Sequence, residues 1–170
     1  MENELRSGRH VGYLFAIPCS IVSLAGIFFS TGNPGLWFLS LLFGLGAAVG
    51  FYLILNPPTL VRVNHGLLEL YPGSLFRNTP KIALPLNRIE HFEVQSISDD
   101  DGNTWLLSLH LREPHPIPET AKAWVKSIVP KDILKQTDDT TIHWCLSWPE
   151  GGTQGAQTRL KKLIGSQKAE

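Results

Sequence analysis

At 170 residues the chain has room for one domain and some additional segments. Fifteen basic residues balance fifteen acidic ones, which argues against the strongly basic surface that binds nucleic acid in bulk. Only 18% of the residues are charged, where about a quarter is usual for soluble domains, and the deficit is local.

Residues 1–10 read as a short polar tail carrying Arg6 and Arg9. From Val11 to Val61 there is then no Asp, Glu, Lys or Arg. A membrane segment must avoid such residues, because each central charge costs about 2.5–3.5 kcal/mol on insertion scales. Val11 to Phe29 is 19 residues long and Leu36 to Leu55 is 20. Each matches the roughly 20 residues that a helix needs to cross the hydrocarbon layer. The second piece holds twelve Leu, Ile, Val or Phe residues, enough to favour insertion by several kcal/mol. STGNPG between them is a run of turn formers that suits only a tight reversal. Residues 11–55 therefore predict a transmembrane helical hairpin.

A cleaved signal peptide is the competing reading of the first piece. Its apolar core exceeds the usual 7–15 residues and no A-x-A site follows. Arg6 and Arg9 precede the hairpin and Arg62, Arg77, Lys81 and Arg88 follow it, whereas the connecting loop has no basic residue. The positive-inside rule then places both termini in the cytoplasm. Pro18 predicts a kink in the first helix, with Ser20 and Ser23 available to satisfy the loosened backbone. Gly44, Gly46 and Gly50, with Ala47 and Ala48, form a small-residue patch on the second helix. Such patches let helices approach closely. The partner is either the chain's own first helix or a helix of another subunit.

Asn56-Pro57-Pro58 ends the hairpin, and residues 56–170 predict a mainly-β domain. Strands are expected at Thr59–Asn64, Leu67–Tyr71, Ile82–Leu84 and Ile89–Ile97, with His65-Gly66 as a turn. Ser98 to Asn103 is a hairpin signal in which Asp101-Gly102 suits a type I′ turn. It fails as a calcium loop, since Gly102 falls at position 4 rather than 6 and position 12 is His110. Thr104–Arg112 alternates Trp105, Leu107, Leu109 and Leu111 against Leu106, Ser108, His110 and Arg112. Thr141–Trp148 alternates Ile142, Trp144, Leu146 and Trp148 against His143, Cys145 and Ser147. Period-two patterning predicts one buried face with the tryptophans turned inward. Thr153–Ile164 reads as a closing helix.

Gly66-Leu67-Leu68-Glu69-Leu70, then Gly73-Ser74-Leu75-Phe76, then Ile82-Ala83-Leu84-Pro85-Leu86-Asn87-Arg88-Ile89 resembles the bacterial PH-like domain family, the DUF304-like membrane proteins. The resemblance spans residues 59–112, and residues 140–164 in outline. It implies a small β-barrel or sandwich closed by the C-terminal helix, behind membrane helices in a bacterial inner membrane. It implies no catalytic residue, and no cofactor is expected.

Residues 113–139 interrupt the family pattern with a connection well beyond ordinary loop length. Ala121, Trp124, Val125 and Ile128 fall at helical spacing there, with Lys122 and Lys126 on another face. Two readings stand: a docking element for a protein partner or the anionic leaflet, or a segment that packs on its own domain and covers a sheet edge. A headgroup-binding site is disfavoured. The first hairpin loop after the membrane, Asn64-His65-Gly66, has only Arg62 nearby, and residues 56–170 carry thirteen charges of each sign. His91, Glu93, His110, His143 and Cys145 are metal-capable residues without close ligand spacing, so no metal site is expected. No nucleophile elbow or phosphate loop occurs. The sequence therefore points to a non-catalytic membrane module whose partners are lipids and other membrane subunits. It is either an accessory subunit or assembly factor of a larger complex, or a membrane-surface sensor.

Overall fold

The computed structural model describes residues 3–29, 33–72, 80–99, 102–118, 121 and 140–167. The chain forms two compact units, one from residues 8–57 and the other from residues 1–7 together with 58–170.

The first unit is a pair of helices, α1 (His10–Phe29) and α2 (Pro34–Leu55). Asn33 caps α2, its Oδ1 accepting from the Gly35 amide at 2.9 Å, and Pro34 occupies the first helical position, where its missing N–H costs nothing. Both helices are long and apolar enough to cross a membrane. Only 11% and 22% of their apolar windows are buried, unlike the core helix of a soluble domain. Of the twenty-two exposed large apolar side chains among the described residues, twenty lie on this pair, so its outer surface is an apolar coat. α1 is helical through Pro18. The Ser23 hydroxyl does not repair the backbone of α1 as expected from the sequence; it donates to the Ser40 carbonyl of α2 at 2.9 Å.

The second unit holds two antiparallel sheets and a helix. The first sheet has the order β1 (Glu4–Arg6), β2 (Thr59–Asn64), β3 (Leu67–Leu70), β4 (Ile82–Pro85). The second has the order β5 (Ile89–Asp99), β6 (Gly102–Leu111), β7 (Thr141–Leu146). Helix α3 (Gly152–Gln167) follows. The β2–β3 reversal puts His65 at φ 47° and Gly66 at φ 74°, the pair of positive values that a type I′ turn demands. A short 3-10 turn, Leu86–Arg88, leads from the first sheet into the second.

The strand β1 lies in residues that the sequence reads as a tail. Three residues with one apolar side chain carry no readable period, and their partner is over fifty positions away, so only the folded register (Glu4 opposite Arg62, Leu5 opposite Val61) reveals the strand. Leu5 is buried in the common core. That core also collects Leu68, Leu70, Leu84, Leu107, Leu109, Trp144 and, from α3, Ala156, Leu160, Leu163 and Ile164. Ala121, at the start of the expected 121–128 helix, is fully buried in it as well.

Two details depart from the alternation read in the sequence. In β6 and β7 the face opposite the core also carries buried residues, Leu106, Ser108 and Cys145; β6 is the central strand, and Leu106 already breaks the polar half of its pattern. β7 ends at Leu146, and Trp148 is not an inward strand residue. It has φ 51° and is exposed, because Pro149 behind it forms an isolated bridge to Ser7 and turns the chain away. In the β5–β6 hairpin, Gly102 pairs with Asp99 and so belongs to the strand rather than to the turn. Asp100 and Asp101 lie outside the described residues.

Candidate functional site

Of the residues read as sites, Lys122, Trp124, Val125, Lys126 and Ile128 fall outside the described residues, as does Gly73-Ser74-Leu75-Phe76. Gly44, Gly46 and Gly50 are described, and all three lie against α1. A Cβ on Gly50 would stand 2.8 Å from the Cα of Ala16, and one on Gly46 3.0 Å from the Cys19 sulfur. On Gly44 it would stand 3.3 Å from the Ser23 hydroxyl. The seam continues on the α1 side, where a Cβ on Gly12 would meet the Gly50 carbonyl at 2.7 Å and one on Gly26 would strike the Ser40 hydroxyl. The small residues thus bring the two backbones together and bury Ala16, Ser40, Ala47 and Gly50.

The histidines come to one face of the second sheet, as their register requires. His91 and His110 stack at 4.0 Å between ring centroids. His110 Nδ1 is 3.3 Å from the Thr141 hydroxyl, and His143 Nδ1 is 2.9 Å from that of Ser108. The donors are tied to neighbours in separate rows, and among the described residues no three His, Cys, Asp or Glu side chains are placed to hold a metal ion. Burial pushes the Cys145 thiol up to about 11, so at neutral pH only a trace of the reactive thiolate exists. Cys145 should therefore resist a water-soluble maleimide in the folded protein and label readily after denaturation. Labelling of both states at the same rate would mean that the β7 face is open.

The most concentrated polar cluster is one that the sequence reading missed, at the root of the hairpin. Glu4 on β1 accepts from Arg62 Nε at 2.8 Å, Arg6 Nε at 3.0 Å and the Thr59 hydroxyl at 3.1 Å. Arg62 also lies over the Tyr71 ring, 5.6 Å from its centroid, and the Tyr71 hydroxyl donates to Glu69 at 2.8 Å. Partial burial pushes the Glu4 carboxyl up, but the hydrogen bonds from Arg6 and Arg62 and the charge of Arg62 outweigh it and hold the pKa below its ordinary 4.5. Tyr71 is pushed up to about 12, first by burial and then by its bond to Glu69. The one signal available was charge complementarity, Glu4 and Arg62 lying on either side of a charge-free hairpin.

A depressed folded pKa means that the contribution of Glu4 is complete above about 4.5 and is lost as pH falls through the lower folded value. The partners are partly exposed, so the contribution is about 1 kcal/mol after solvent screening. Glu4→Gln should melt lower than wild type at neutral pH, and the gap should close in acid below 4.5. A gap independent of pH would remove the charge from this account.

The chain matches no family model, no curated protein and no solved structure.

Proposed function

We propose that this chain is a non-catalytic, membrane-anchored binding module, an accessory subunit or assembly factor of a larger membrane complex. Its domain is PH-like and cytoplasmic. The observation that carries the reading is the strand pair that flanks the hairpin. β1 pairs with β2, and the Ser7 amide donates to the Pro58 carbonyl at 2.9 Å. The chain therefore leaves the domain and returns to it at one place. With an apolar coat and no charge from Val11 to Val61, the segment crosses a bilayer and comes back. Arg6, Arg9 and Arg62 then share one side, which the positive-inside rule assigns to the cytoplasm. The order of a four-stranded sheet, a three-stranded sheet and a C-terminal helix supports the PH-like reading. In that reading the hairpin is an insertion between the first two strands.

The non-catalytic part rests on how the described titratable groups are used. Glu4 and Arg62 tie β1 to β2, Arg62 covers the Tyr71 ring, Tyr71 bonds Glu69 two residues away, and His110 and His143 bond neighbouring hydroxyls. A module so built acts by holding something at the membrane surface, and docking falls to its domain and the 113–139 connection. The second reading, a sensor that binds lipid or a soluble ligand, gains from the glycine seam. Those small residues are spent between α1 and α2 rather than offered to another subunit's helix.

Extraction in mild detergent, native-gel sizing and mass spectrometry of co-purifying proteins decide between them. A large assembly with stoichiometric partners is the expected result. A clean species near the chain's own 18.9 kDa, carrying lipid alone, would transfer the assignment to the sensor.

A further inference from the structure

Trp148 lies between β7 and α3 and is held in a backbone conformation that bulky residues avoid, φ 51°. Such a conformation is strained and persists only where its surroundings impose it. The surroundings are on view. The Trp148 carbonyl accepts from the Ser7 hydroxyl at 3.3 Å, Pro149 bridges Ser7, and the Glu150 amide donates to the Arg6 carbonyl at 3.1 Å. The indole leans on Trp105, with centroids 5.3 Å apart and planes tilted by 50°, and Trp105 itself packs on the core. Despite this support, 46% of Trp148 stays exposed. The strained backbone thus carries a half-exposed indole backed by Trp105.

The covalent tether says what that indole meets. Ser7 ends the domain's first stretch of chain, and the charge-free run begins at Val11. Four residues span at most about 14 Å, so Ser7, whose hydroxyl bonds the Trp148 carbonyl, is never farther than that along the chain from Val11. Indoles favour the headgroup level of a bilayer, where an apolar ring and a polar N–H are both satisfied. We infer that Trp148 is an interfacial anchor whose indole enters the headgroup layer beside the hairpin and holds the domain against the membrane. The inference rests on the hairpin's crossing the bilayer, as proposed above.

The test uses the full chain in nanodiscs of zwitterionic lipid brominated either just below the headgroups or near the chain ends. Emission of the wild type minus that of Trp148→Phe isolates Trp148. Emission of the wild type minus that of Trp37→Phe isolates a residue on α2 and reports hairpin insertion. Shallow bromines should quench the Trp148 component about twofold more strongly than deep ones, as expected of a ring at headgroup level. A Trp148 component untouched by bromine, beside a quenched Trp37 component, overturns the anchor and leaves the hairpin in place. Absence of quenching at both removes the membrane reading and the anchor with it. If Trp148→Phe melts early, Trp148→Tyr keeps a ring against Trp105 and takes its place in the subtraction.

Discussion

Replacing Gly50 by leucine is expected to part the two helices, with a loss of about 3 kcal/mol or more, at or beyond the upper end of ordinary overpacking. The reason lies in what the new side chain meets. At Gly50 the first added carbon already crowds the backbone of Ala16, with its Cα at 2.8 Å, and a helix backbone has no rotamer by which to yield. At Gly46 the neighbour is the Cys19 sulfur at 3.0 Å, and at Gly44 a serine hydroxyl at 3.3 Å. Both can give by a few tenths of an ångström. Alanine should therefore be tolerated best at Gly44, less well at Gly46 and least at Gly50.

The same seam supplies the measurement. A Cβ at position 46 would stand 3.6 Å from the Cβ of Cys19, inside the roughly 3.5–4.5 Å range that a disulfide accepts. Gly46→Cys should therefore oxidise to an internal disulfide with Cys19, while buried Cys145 stays out of the reaction. Adding Gly50→Leu should slow that closure about tenfold or more, the ratio that 1.4 kcal/mol or more of lost pairing produces. Closure at the unaltered rate, counted as free thiols by mass spectrometry, would show that the helices pack by some other face.

The features legible in the sequence were those with a local period or a local prohibition. Freedom from charge between Val11 and Val61 marked both apolar helices, because the rule applies residue by residue. Alternation marked β6 and β7, and His65-Gly66 marked the β2–β3 turn. The missed features depend on partners distant in the chain. β1 is a strand only because β2 passes beside it, and the carboxyl of Glu4 is positioned only once Arg62 has returned from the far side of the hairpin. Trp148 continued the inward alternation of β7 on paper. The bridge between Pro149 and Ser7, a contact across more than 140 positions, ended the strand two residues earlier. The glycine patch on α2 was visible as a patch, but its occupant was not, since small residues announce close approach without naming what approaches.

Trp144→Ala should be among the most damaging single changes in the β-domain. The indole is fully buried, the largest such side chain among the described residues, and truncation of a buried aromatic costs about 3–5 kcal/mol in lost transfer energy and cavity. A second loss accompanies it. Trp144 Nε1 donates to the Tyr71 carbonyl at 3.0 Å, joining β7 of the second sheet to the residue that follows β3 in the first. Removing the donor leaves a buried acceptor to find a new partner, at about 1–3 kcal/mol. Trp144→Phe separates the two terms: it keeps much of the volume and drops the N–H, so it should cost less than the alanine change. Thermal melts of the full chain in nanodiscs, followed by near-ultraviolet circular dichroism, give the ranking wild type, phenylalanine, alanine. Equal melting of the phenylalanine variant and the wild type would mean that the bond between the sheets adds nothing, and that the core holds them together by packing alone.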